Sequence, residues 1–173
     1  MRMIKKFELL NKSLEKEDVK SMEEEASKIY TLLSKNELSH LNLSQEEYSS
    51  SEAVEELGLD EELISELVED YVSQIIRSLV QFESKLKTLQ ESQIKSDSMD
   101  YTPFRELAHK NLGVARNLRI KDAEVLLYEL MTKDDLEYLM SCLEALEVST
   151  IKLNPQKAYN TFKLIEIKEG FKN

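Results

Sequence analysis

Histidine occurs twice in this chain, and the second occurrence has the richer surroundings. His109 lies in "ELAHKNLGVARNLRI" (106–120), with Arg105, Lys110 and Arg116 close by in sequence. An imidazole near neutral pH serves as nucleophile, proton carrier or metal ligand. A metal site is poorly supported here. Only Glu106 stands near as a further ligand type, and the two arginines repel a cation. A hydrolase triad is no better founded, because the chain has no glycine-flanked serine to pair with the histidine. His40 sits in the aperiodic stretch "NELSHLNLS" and reads as a surface loop residue. Cys142 is alone, so no internal disulfide can form, and a reducing, cytoplasmic setting is expected.

The direction in which His109 points follows from the helical period of about 3.6 residues, or about 100° per residue. With His109 at zero, Leu107, Leu118, Phe104 and Ala115 fall between about 160° and 240°, with Val114 at about 140°. That apolar stripe lies nearly opposite the histidine. Arg105 and Arg116 fall at about 320° and 340°, Gly113 at about 40° and Leu112 at about 300°. The imidazole thus stands between two guanidiniums, with a side-chain gap one turn on. A glycine inside a helix costs about 1 kcal/mol relative to alanine, and close approach by another surface is one use for it. Leu112 is expected to offer that surface an apolar contact. Asn111, at about 200°, faces the core and must find hydrogen-bond partners there. An ordinary exposed histidine flanked by solubilising arginines satisfies the same geometry.

Helices must position these groups. Three glycines and two prolines in 173 residues leave few breaks, which favours helices over a sheet. Apolar residues at 41% and charged residues at 33% suffice for one packed domain. Residues 14–34 read as an amphipathic helix on Val19, Met22, Ala26, Ile29, Tyr30 and Leu33, with "EEE" at 23–25 on a solvated face. Residues 35–52 are Ser-rich and read as a linker. Asp60 caps a long helix whose stripe runs from Leu63 and Ile64 to about Leu89, broken by "ESQIKSDSMD". Thr102 and Pro103 open the helix of His109, which ends near Leu118–Arg119. Two more follow, from Asp122 to Met131 and on to about Val148, with Thr132 and Asp135 as a capping-box-like pair between them. Pro155 opens a tail with weaker amphipathic signal and a helical option.

The expected division is a helical extension and linker over 1–52, an up-down antiparallel four-helix bundle over 53–151, and a tail over 152–173. With 23 basic against 34 acidic residues, the net charge of −11 repels nucleic-acid phosphates. The opening "MRMIKKFELLNKS" has too short an apolar run for a signal peptide, and no stretch approaches the roughly 20 apolar residues that span a bilayer.

"LAHKNLGVARNLRI" resembles the signature of histidine phosphotransfer (HPt) domains, the relay modules of bacterial two-component phosphorelays. That signature reads A-H-x-L-K-G-x-x-x-x-L-G-A. Ala108 and His109 match the A-H pair, Gly113 the first glycine and Leu118 the later leucine. Asn111, Leu112 and Arg119 stand where the family has leucine, lysine and a second glycine. The resemblance covers about residues 53–151, with 55–86 similar to the long first bundle helix. It implies an all-α bundle and a phosphohistidine carrier without kinase activity of its own. His109 would be the phospho-acceptor, with Arg105, Arg116 and Lys110 supporting the phosphate and Leu112 and Gly113 at the docking face. The implied partner is the receiver domain of a response regulator or hybrid kinase, which would bring the Mg²⁺. An HPt-like adaptor that carries no phosphate and a plain helical scaffold remain as alternatives.

Overall fold

The computed structural model describes residues 18–44 and 46–172, with side chains through 168. The described residues form helices joined by short connections, with no strand among them. In chain order these are α1 (Val19–Lys35), a 3₁₀ turn (Ser39–Leu41), α2 (Ser51–Leu57), α3 (Glu61–Ile94), α4 (Thr102–Asn117), α5 (Lys121–Thr132), α6 (Leu136–Leu153) and α7 (Pro155–Lys172).

Local signals set most helix ends. Asp18 and Asp60 sit in extended backbone and accept the Ser21 and Leu63 amides at 3.2 and 2.8 Å, which satisfies one otherwise unpaired donor at each N-terminus. Gly58 closes α2 at φ 66°, a left-handed backbone that glycine adopts without strain. Asn154 takes the capping role for α7, accepting from the Lys157 amide at 3.0 Å ahead of Pro155.

Three expectations about boundaries are corrected. The Ser-rich stretch is not a linker throughout, because residues 51–57 are helical and bury Ala53. The helix α3 continues through "ESQI" to Ile94, since Leu89 and Gln90 are both buried and hold that last part to the core. The cap of α6 is Asp135, which accepts from the Tyr138 amide at 3.2 Å. Thr132 instead ends α5, its hydroxyl donating back to the Tyr128 carbonyl.

The core is one apolar cluster that every long helix feeds. The helix α3 packs against α4, α6 and α7; α4 packs against α5, and α5 against α6. The helix α1 lies on α6 and α7, burying Met22, Ala26, Tyr30 and Leu33. The C-terminal stretch is a helix that packs on α3, α6 and α1 through Ala158, Tyr159 and Phe162. Each fully buried Leu, Ile or Phe contributes about 1.5–3 kcal/mol, so these additions are part of what holds α3 and α6. Leu63, placed in the stripe by periodicity, is exposed: it lies in the first turn of α3, ahead of the packed length. No helix among the described residues is long and apolar enough to cross a membrane.

Candidate functional site

The helix that carries His109 is fixed at both ends by backbone geometry. Thr102 is its first residue and not its cap. Tyr101 takes the cap position without a side-chain bond, and Asp100 accepts the Thr102 amide at 3.0 Å. Tyr101 reaches over the bundle end and donates to the Asp134 carbonyl at 2.7 Å. At the other end, Arg119 has φ 58°, in the left-handed region. Its amide bonds the Arg116 carbonyl at 3.2 Å, and that of Ile120 bonds Ala115 at 3.0 Å. This double closure ends helices where glycine usually stands. Arg119 occupies it and pairs its guanidinium with Glu56 of α2.

The buried arc of α4 contains Phe104, Leu107, Ala108, Asn111, Leu112 and Ala115. His109, Lys110, Gly113, Arg116 and Asn117 are exposed. His109 therefore points away from the core, as the helical period requires. Among the described residues no hydrogen bond or ion pair holds its imidazole. A Cβ built at Gly113 would meet nothing within 4 Å, so packing does not demand a glycine there.

Leu112 corrects the expectation of an exposed docking contact. It is 2% exposed and lies in the core. The reason is that α4 is covered on two sides, by α3 and by α5, which widens its buried arc beyond the stripe that periodicity outlines.

The three cations expected around the histidine do not gather on one side. Arg105, one turn before His109, is half-buried, with its guanidinium carbon 4.8 Å from the Tyr101 ring centroid. Its Nε is buried without a hydrogen-bond acceptor. Arg116 is exposed, and its Nε lies 3.9 Å from Glu124 of α5, a loose pair. Burial raises the Glu124 carboxyl from its ordinary value, while Arg119, Arg116 and Lys121 act against that rise. Lys110 lies on the other side of α4, where it lines a groove against α3 and α7.

Below this face, Asn111 is fully buried and satisfied. Its Nδ2 donates to Ser78 Oγ at 3.1 Å and to the Leu107 carbonyl at 2.9 Å, and its Oδ1 accepts from Gln74 Nε2 at 3.1 Å. The amide thus ties α4 to α3 directly behind the exposed face.

Two anchoring groups escape sequence reasoning. His40 is exposed, as expected of a surface residue, but its Nε2 lies 2.9 Å from Tyr138 Oη. That hydroxyl donates to the buried Glu129 carboxylate at 2.6 Å, so the imidazole must be the donor in the other bond. Burial, then the bond to Glu129, push the Tyr138 phenol above its usual range. Asp122 accepts from the Tyr30 hydroxyl and from the Ser44 amide, the latter at 2.9 Å, pinning α1 and the following loop to the start of α5. These partners lie far apart in sequence, and no local spacing announces them. Cys142 is buried, and burial above all pushes its thiol up to about 12, so it is no nucleophile at neutral pH. Among the described residues no group of three or more His, Cys, Asp or Glu side chains could hold a metal ion.

A scan against protein-family models finds no match to this chain, and searches of curated proteins and of solved structures find none either.

Proposed function

We propose that the chain is a histidine phosphotransfer protein, with α3, α4, α5 and α6 as an up-down antiparallel four-helix bundle and His109 as its phospho-acceptor. The packing order supports the bundle: each of these helices meets the next, and α6 returns to α3. The connections of three residues at 118–120 and 133–135 favour antiparallel neighbours.

One observation carries the functional reading. His109 is exposed and unbonded, with Arg105 one turn before it, Gly113 open to solvent one turn after it and Arg116 beyond. Residues four apart on a helix are surface neighbours. An imidazole without a bond keeps a ring nitrogen free to attack. In the proposed step that lone pair forms an N–P bond with the phosphoryl group of a receiver's phospho-aspartate. The acyl P–O bond breaks, and the receiver's carboxylate leaves. The receiver supplies Mg²⁺ and most of the catalytic groups, and this chain supplies a positioned nucleophile. Arg105, whose buried Nε has no acceptor, and Arg116 would steady the charge on the transferred group. Gly113 leaves room for the receiver's loop. The chain needs no kinase activity of its own.

The test is transfer from phosphorylated receiver domains of the source organism to the wild type and to His109→Gln. Acid-labile, base-stable label on the wild type alone is the expected result. Receiver binding without label would instead identify the adaptor, a reading favoured by the absence of an exposed lysine at position 112. Neither label nor binding would leave a helical scaffold. Gly113→Glu fills the gap beside the histidine and is expected to block transfer while leaving helicity intact; unaltered transfer in that variant removes Gly113 from the docking face.

A further inference from the structure

The groove on the far side of α4 has a chemistry that the His109 face does not use. It lies between α3, Lys110 of α4 and Lys157 of α7, shallow and broadly open to solvent, with a volume of about 380 Å³. Its charged lining is Asp70 and Arg77 of α3 together with Lys110 and Lys157. Three cations against one carboxylate give the groove a net charge of +2, in a chain whose net charge is −11. Among the described residues, the side chains of Arg77, Lys110 and Lys157 make no ion pair or hydrogen bond, although acidic residues outnumber basic ones. The lining is not loose either. Gln74 and Ser78 belong to it, and both are tied to fully buried Asn111. The groove thus has a fixed polar floor beside three cations that Asp70 alone opposes.

We propose that this groove binds a compact phosphate monoester bearing hydroxyl groups, of the size of a sugar phosphate. A monoester carries about −1.5 to −2 charges at neutral pH, which the groove's net charge complements. Arg77 presents a planar fork that suits phosphate oxygens, and the two ammonium groups complete the neutralisation. Asp70 accepts hydrogen bonds only, and its role is to receive the sugar hydroxyls. The volume falls at the lower end of small-molecule pockets, roughly 300–1,000 Å³. A long polyanion is disfavoured, because a chain of net charge −11 repels charge extending beyond the groove. The site does not depend on His109 or on the relay reading.

Calorimetry of the full chain at low ionic strength tests it, with ribose 5-phosphate, inorganic phosphate and ribose as probes. Saturable one-site binding of ribose 5-phosphate is expected, at least about tenfold tighter than inorganic phosphate, with none for ribose. Arg77→Gln and Lys157→Gln are each expected to weaken it by about tenfold or more, because each removes a charge-assisted contact. Asp70→Asn should erase the preference for the sugar phosphate over inorganic phosphate. Lys110→Gln should lose groove affinity, and His109→Gln should keep it. Helicity by circular dichroism confirms that each variant is folded, and Arg77→Lys keeps the charge as a partial rescue. Absence of saturable ribose 5-phosphate binding, equal affinity for the two phosphates, or wild-type affinity in Arg77→Gln and Lys157→Gln would overturn the proposal.

Discussion

The two faces of α4 obey different rules. On the inner face even the polar residue is fully committed: Asn111 has no exposed surface, and its amide bonds to Ser78, Gln74 and the Leu107 carbonyl. On the outer face, one turn of helix holds an unbonded imidazole and a glycine with open space around it. Folding explains the first face completely, since an unpaired buried amide costs about 1–3 kcal/mol. Folding explains nothing about the second, where alanine would serve α4 better than glycine. Residues that the fold does not require are the ones to test for function, and that contrast motivates the reading of His109.

The contrast fails most visibly if Leu112 behaves as a surface residue. Leu112→Ala is expected to lose about 2–5 kcal/mol in urea denaturation, the range for buried leucines. A loss below about 0.5 kcal/mol would return Leu112 to the exposed face, since surface substitutions fall in that range. Asn111→Ala should cost less, about 1–3 kcal/mol, by stranding Ser78 and Gln74. A cycle with Ser78→Ala sharpens the point. If the network acts as a unit, the double variant should be less destabilised than the sum of the singles.

Periodicity was a good guide to which side of a helix faces the core. The buried positions of α1 and the outward direction of His109 both follow from a step of about 100° per residue. It did not say how wide the buried arc of a helix becomes. Leu112 sits at the margin of the stripe, and only the presence of α5 beside α3 decides that it is buried. The wheel itself separates Lys110, at about 100°, from Arg105 and Arg116. The wheel gives angles around α4 but not the groove that α7 completes with Lys157. Capping was legible where the side chain acts locally, as at Asp60, and misleading at Thr132, whose hydroxyl bonds back into the preceding helix. The His40–Tyr138–Glu129 chain was beyond reach because 98 residues separate its first pair. The departure at Arg119 becomes intelligible in the fold: the position needs a left-handed backbone, and a pair with Glu56 accompanies the non-glycine residue.

The remaining predictions concern the outer face, where the expected effects on stability are small and their signs are informative. Gly113→Ala should stabilise the chain by about 0.5–1 kcal/mol, since helix propensity improves and the new methyl meets nothing. A loss in that variant would mean that a contact with α4 demands the glycine, and the argument from an unneeded residue would fall. His109→Gln should leave the denaturation midpoint within about 0.5 kcal/mol of wild type, because the imidazole holds no partner in the fold. The size of any larger loss would measure how far His109 serves the structure. A silent His109→Gln on stability, paired with loss of label in the transfer experiment, separates function from fold at a single side chain. That separation follows the two faces of α4: the same helix spends its inner side on cohesion, while the fold asks nothing of His109 and Gly113 on its outer side.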